Sequence, residues 1–247
     1  MLLNSTLILL EKDNIICNEI RKGIFIKKLK IKKSYEIKNS NFKQLKIKSK
    51  NVSFIILGEK IFIKRMSLPK INKNIKKELI INELGSYCSN DNHLLFSYER
   101  ENVHEKNEDV IVYSLNYAGV SSINSAMDVN KKIKGVFLIQ FIYLNFYSKK
   151  IKEHDYILSF VFNSKLYILI VNNNKLVYNA VEDFYETKGL SDLLYVNIKK
   201  CQQVSMTWPI YLVREQSINE NAISTNDYPL IFLEKLQINE LFMEADR

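Results

Sequence analysis

Residues Asp155 to Asp183 constrain the fold more than any other stretch of the chain. Tyr156–Phe162, Leu166–Val171 and Leu176–Val181 are three runs dominated by β-branched, aromatic and aliphatic side chains, separated at turn spacing by Asn163-Ser164-Lys165 and Asn172-Asn173-Asn174. Apolar runs of strand length with Asn at the breaks predict a three-stranded meander buried on both faces. The first hairpin of this meander holds neither an acidic residue nor glycine. A hairpin that cradles phosphate needs close backbone N–H groups and a carboxylate to place the metal, so phosphate handling is not expected here.

The N-terminus repeats the pattern. Thr6–Leu10 and Ile15–Ile20 are two predicted strands around a turn at residues 11–14, and after Arg21-Lys22-Gly23 a third is expected from Ile24 to Ile31. Its first hairpin also lacks glycine. Two copies of one meander, about 150 residues apart, predict a duplicated α/β architecture in which each half supplies a sheet and a ligand cleft lies between them.

The segment between the copies has its own organisation. Val52–Leu57, a turn at Gly58-Glu59-Lys60 and Ile61–Met66 read as a hairpin that ends at Leu68-Pro69. Ile71, Ile75, Leu79, Ile80, Leu84 and Tyr87 then recur at helical spacing, with Asn72 or Asn74 available as the cap. The buried stripe of this helix is expected to be Ile75, Leu79 and Leu84, with Lys76, Lys77, Glu78 and Glu83 pointing outward. Leu94–Tyr98 and Val110–Ser114 read as two further strands, separated by the charged stretch Glu99–Asp109.

Composition excludes several classes. Apolar residues make up 47% of the 247, too many for disorder, and the longest apolar run, Val136–Tyr147, is interrupted by Gln140 and Asn145 and is too short for a membrane span. The start lacks a positive leader and a small-residue cleavage site, which predicts a cytoplasmic protein. Cys17, Cys88 and Cys201 lie far apart, and His93, His104 and His154 form no metal-binding spacing, so neither a disulfide framework nor a zinc site is expected. The six glycines never fall within three positions of each other, so no phosphate loop can be written from them. Asp183 and Asp192 are isolated carboxylates, expected in cap or turn roles rather than on a metal.

Charge is uneven: residues 1–77 carry 20 Lys and Arg against 5 Asp and Glu, while the remainder carries 16 against 22. Lys27, Lys28, Lys30, Lys32 and Lys33, followed by Lys43, Lys46, Lys48 and Lys50, offer a face that anionic lipid headgroups would attract. The plain alternative is a solvated strand face in a chain rich in lysine throughout. Nucleic-acid binding is the weaker reading, because the lysines lack interleaved arginine and carry only Phe25, Tyr35 and Phe42 beside them.

The run from Asn51 to Pro69, the helix after it, Tyr98 before a loop and the strand Val110–Asn116 together resemble the inserted subdomain of the actin-like PilM proteins of type IV pilus machines and the related GspL-type cytoplasmic domains of type II secretion. The likeness continues through a helix expected at about Ser122–Ile133, a strand Gly135–Ile139, Asn145-Phe-Tyr147 and the second meander. Pro209–Val213 matches in position the strand that brings an adenosine-binding Gly-Gly pair in nucleotide-binding members, and Arg214-Glu215 stands where that pair would be.

The resemblance implies a duplicated actin-like (ribonuclease H-like) α/β fold with an inserted α+β module in its first half. The first lobe would span 1–148, with the insert at about 51–116, and a reduced second lobe would span 149–247. It further implies a non-catalytic scaffold of an inner-membrane assembly platform. Such a protein would be cytoplasmic and peripheral at the inner face of the membrane. It would receive the cytoplasmic tail of a membrane-spanning PilN-like partner in a groove beside the insert and sit near the assembly ATPase. With charged side chains in place of glycine, no catalytic residue, cofactor or metal is expected. The alternatives are a functional ATP-binding PilM-like protein and a basic nucleic-acid-binding protein.

Overall fold

In a computed structural model, residues 3–22, 29–38, 47, 49–86, 93–120, 123, 132–185, 189–215, 218, 223 and 228–245 are described. The chain divides into two compact units, one comprising residues 1–59 and 129–247 and the other residues 60–128.

The larger unit contains two five-stranded sheets of one topology. In the first, β1 (Leu3–Leu10), β2 (Asn14–Lys22) and β3 (Leu29–Lys38) form an antiparallel meander, and β4 (Asn51–Ile56) and β8 (Lys132–Leu138) extend it in parallel, giving the order β3-β2-β1-β4-β8. In the second, β9 (Tyr156–Phe162), β10 (Lys165–Asn172) and β11 (Lys175–Asp183) form the meander, and β12 (Ile210–Val213) and β13 (Leu230–Leu233) run parallel to β9, giving β11-β10-β9-β12-β13. The duplication expected from the two meanders is therefore real at the level of strand order.

Both turns of the second meander work without glycine. Asn163 and Ser164 (φ 47° and 54°) and Asn173 and Asn174 (φ 49° and 61°) take the left-handed conformation that two-residue hairpin turns require. Asn tolerates that region because its short amide can bond locally. Asn173 is further held by its N–H, which donates to Asp155 Oδ1 at 2.7 Å.

Helix α2 (Ile139–Tyr147) follows β8, so the apolar run Val136–Tyr147 divides between a strand end and a helix. Its buried Tyr143 stacks on Phe160 at 3.7 Å between ring centroids, and Phe160 stacks on Tyr167 at 4.7 Å. The Gly58 N–H donates to the Tyr167 hydroxyl at 2.8 Å, which ties the end of β4 to the second sheet. Tyr147 donates to the Glu234 carbonyl at 2.7 Å. Helices α3 (Leu190–Lys199) and α4 (Ile238–Ala245) belong to the same unit. Leu190, Leu194 and Ile198 of α3 enter the same buried cluster as Ile168, Ile170 and Leu212. Asp192 lies in the first turn of α3, where a carboxylate complements the helix dipole.

The smaller unit is a three-stranded antiparallel sheet, β5 (Phe62–Pro69), β7 (Asn107–Asn116) and β6 (Leu94–Val103) in the order β5-β7-β6, with helix α1 (Lys73–Gly85). Asn72 caps α1, its Oδ1 accepting from the N–H groups of Asn74 and Ile75 at 3.0 Å each.

Several expectations are corrected. Val52–Leu57 and Ile61–Met66 do not pair: every residue from Val52 to Leu57 is buried, which suits a strand inside a parallel sheet, whereas β5 is mostly half-exposed or exposed. Gly58, at φ 76°, turns the chain out of the first sheet. The charged stretch 99–109 is not a linker but the body of the β6–β7 hairpin, where opposite charges meet: Arg65 bonds Glu101 at 3.1 Å and Arg100 bonds Glu108 at 2.9 Å. The third N-terminal strand runs over 29–38, later than expected, and residues 23–28 lie outside the described part. Most of the helix expected at Ser122–Ile133 also lies outside it, and Ile133 belongs to β8.

The largest correction concerns α1. Its buried residues are Lys76, Ile80 and Leu84, while Ile75 and Leu79 are 45% and 37% exposed. Ile80 and Leu84 pack with Leu68, Val110 and Val112. Lys76 enters this face because its ammonium meets the buried carboxylate of Glu108.

Candidate functional site

The tips of the first hairpins of the two meanders, β1–β2 and β9–β10, meet each other. The β1–β2 turn is closed by the Glu11 N–H donating to the Asn14 carbonyl at 2.9 Å. Asn163 at the β9–β10 tip donates through Nδ2 to Glu11 Oε1 at 2.6 Å. A carboxylate thus stands where an anion's oxygens would need donors, and like charges disfavour each other at such a distance. Lys165 and Asp183 form an ion pair at 2.5 Å, which gives Asp183 a structural partner. Burial pushes the Glu59 carboxyl pKa up, and Lys12 and Lys165 pull it partly back. The Glu59 carbonyl accepts from Gln140 Nε2 at 2.5 Å.

Behind these tips a cleft of about 690 Å³ opens between a face of the first sheet and the carboxyl ends of β9, β12 and β13. In open α/β sheets the carboxyl ends of parallel strands are the usual place for ligands. Asn18 and Ser34, register partners on β2 and β3, line one side, and Tyr143, Ser164, Tyr185 and Gln237 are among the residues lining the rest. Burial, followed by the neighbouring Tyr147 and Glu215, holds the Tyr143 hydroxyl pKa well above the ordinary phenol range, so it remains a neutral donor at physiological pH.

Arg214 and Glu215 follow β12 directly, at the position the resemblance gives to a Gly-Gly pair. Arg214 bonds Glu234 at 2.7 Å and Glu215 bonds Lys235 at 2.6 Å, so two ion pairs bridge the ends of β12 and β13. Side chains of this size deny a ligand the close backbone approach that glycine allows.

Of the basic residues singled out, Lys27 and Lys28 lie outside the described residues, and Lys30 is described only as a backbone position in β3. Lys32 and Lys33 are exposed on β3, the edge strand of the first sheet. The ladder to β2 skips Lys32, Lys33 stands opposite Glu19, and the Lys33 ammonium lies 5.4 Å from the Tyr35 ring centroid. A bulge and charged side chains are also the ordinary means of protecting a sheet edge.

His104 bonds Asp109 at 2.7 Å, a contact that lowers the Asp109 pKa, and His154 bonds Asn174 at 2.6 Å. Among the described residues no group of three His, Cys, Asp or Glu could hold a metal ion. No helix among them is long and apolar enough to cross a membrane. Sequence reasoning missed Asn18, Tyr143 and the Glu11–Asn163 contact. Asn18 interrupts an apolar strand and was the one local signal available.

No family model matches the sequence, and no curated protein matches it. The fold does match solved structures. Over 93% of this chain and 90% of the other, it superposes on a Bacteroides thetaiotaomicron protein of actin-like ATPase fold and unknown function, at 12% identity and a TM-score of 0.57. The fold is therefore the duplicated actin-like one. Two further matches define its form. One is the PilM–PilN type IV pilus biogenesis complex (TM-score 0.63, 11% identity, 96% of this chain and 88% of the other). The other is the cytoplasmic domain of EpsL, an inner-membrane component of the type II secretion system of Vibrio cholerae (TM-score 0.57, 10% identity, 98% and 94%). The chain shares its fold with both over nearly its whole length.

Proposed function

We propose that this protein is a non-catalytic scaffold in the inner-membrane platform of a type IV pilus or a related secretion apparatus. It works on the cytoplasmic side, binds the cytoplasmic tail of a membrane-spanning PilN-like partner and lies near the assembly ATPase. The observation that carries this reading is the superposition with the PilM–PilN complex over 96% of the chain. Its non-catalytic part is supported by the hairpin tips, where Glu11 and Asn163 bond each other, and by the charged residues after β12. The test is a pull-down and titration with the tail peptide of the single-span protein encoded in the same gene cluster. Micromolar binding is the expected result, and its absence overturns the scaffold reading.

Magnesium ATP will leave the melting temperature unchanged. A ligand at a hundredfold excess over its Kd would add about 2.7 kcal/mol, a shift of roughly 5–10 °C for a chain of this size. A shift of that kind would favour the ATP-binding alternative instead.

The lysines of β3 give the membrane-proximal part of the reading its own test. Vesicles rich in anionic headgroups will retain the protein at low salt and release it near physiological salt, because each near-surface lysine contributes about 1 kcal/mol that screening removes. Lys32→Glu with Lys33→Glu will abolish the retention, and equal retention on neutral vesicles would count against a basic docking face.

A further inference from the structure

Strand β3 ends the order β3-β2-β1-β4-β8, and no described strand lies on its outer side. It is ten residues long, and every residue from Ile31 to Lys38 is exposed or half-exposed. Alternate residues of such a strand direct their N–H and C=O groups away from the sheet, where a further strand would take them. The edge is also strongly basic: Lys30, Lys32, Lys33 and Lys38 stand against Glu36 alone.

The register fixes where these charges stand. Ile31 and Ser34, three positions apart, both line the cleft, because the bulge opposite Glu19 and Ile20 takes Lys32 out of the ladder. Lys33 and Tyr35 therefore lie on the other face, with the ammonium 5.4 Å from the ring centroid. None of the described residues, Glu19 opposite Lys33 included, forms an ion pair with Lys32, Lys33 or Lys38. Lys165 and Lys235, by contrast, are paired with Asp183 and Glu215.

Lysine on an edge strand blocks pairing with a like strand, since two basic edges repel. The same charges favour a strand of opposite sign. Acidic side chains would meet the ammonium groups of Lys32 and Lys33 while the backbone of the segment takes up the outward N–H and C=O groups, so one ligand satisfies both features of the edge. Anionic headgroups answer the charge alone and leave the backbone row to water.

We propose that the outer edge of β3 adds an acidic, extended segment of a partner protein as a further strand of the first sheet. The segment is recognised by its backbone along β3 and by carboxylates set against Lys32 and Lys33. The proposal does not depend on the scaffold reading, since it names the chemistry of the segment and not the apparatus that supplies it.

The test is a selection of displayed, fully randomised peptides of about eight residues on the whole protein, with the enriched sequences then titrated as synthetic peptides. Enriched peptides are expected to alternate Asp or Glu with β-branched and aromatic residues, and to lose about fivefold or more in affinity across a roughly tenfold rise in salt. Lys32→Glu with Lys33→Glu, both at exposed positions, should weaken them about tenfold at unchanged melting temperature, and a repeat of the selection on that variant should enrich basic peptides instead. Methylating every second backbone nitrogen of a peptide keeps its charges and removes its donors on one edge. One phase of methylation should weaken binding about tenfold and the other hardly at all, because only one edge of the peptide faces β3. The proposal is overturned if no acidic peptide is enriched, if the reversed variant keeps the acidic peptides, or if both methylated phases bind as the parent does, since charge alone would then hold the peptide. It is equally overturned if vesicles of anionic lipid retain the protein and a saturating acidic peptide fails to weaken that retention, because the lysines would then face headgroups and not a strand.

Discussion

Replacing Glu108 with alanine will cost about 3–5 kcal/mol of stability, although the residue lies on an exposed-looking charged stretch of the sequence. Glu108 and Lys76 are both buried, and their charged groups meet on the covered face of α1. Glu108 also accepts from Arg100 at 2.9 Å. Removing the carboxylate leaves the Lys76 ammonium without its main counter-charge in a place where water does not reach it. The double replacement Lys76→Met with Glu108→Leu should recover most of the loss or exceed wild type, since apolar groups of similar volume avoid the desolvation of both ions. Denaturant titration of the single and double variants measures this. A small effect in the single variant, or a double variant as weak as the single, would mean that the pair is solvated.

What the sequence disclosed depended on how local each interaction is. The second meander was legible almost to the residue, because runs such as Leu166–Val171 and the Asn pairs at the turns specify strands and breaks within a few positions. The pairing of β4 was not legible. Val52–Leu57 beside Ile61–Met66 looks like a hairpin in sequence, and only the burial of every residue from Val52 to Leu57 separates a strand inside a large sheet from a hairpin arm. The cleft was hidden for the same reason at longer range. Glu11 meets Asn163 across 152 positions, and Asn18 and Tyr143 come to line one cavity only after both sheets have formed.

The phase of α1 shows how such an error arises, and it sets the second large prediction. The helix has two apolar stripes at four-residue spacing, Ile75 with Leu79 and Ile80 with Leu84, and periodicity alone gives either as the buried one. The choice is made by Lys76, which lies one turn before Ile80 on the same face and is drawn inward by Glu108 from 32 residues away. Ile80→Ala should therefore cost about 2–5 kcal/mol, and Leu79→Ala less than about 1. Denaturant unfolding of both variants distinguishes the phases: a larger loss at Leu79 than at Ile80 would restore the stripe that periodicity first suggested. Because Ile80 and Lys76 share one packed face, the Ile80→Ala and Glu108→Ala losses should also fail to add, deviating by more than about 0.5 kcal/mol in the combined variant. Strict additivity would place the ion pair and the aliphatic cluster in separate environments, against the packing that puts Ile80 and Leu84 on Val110 and Val112, the strand neighbours of Glu108.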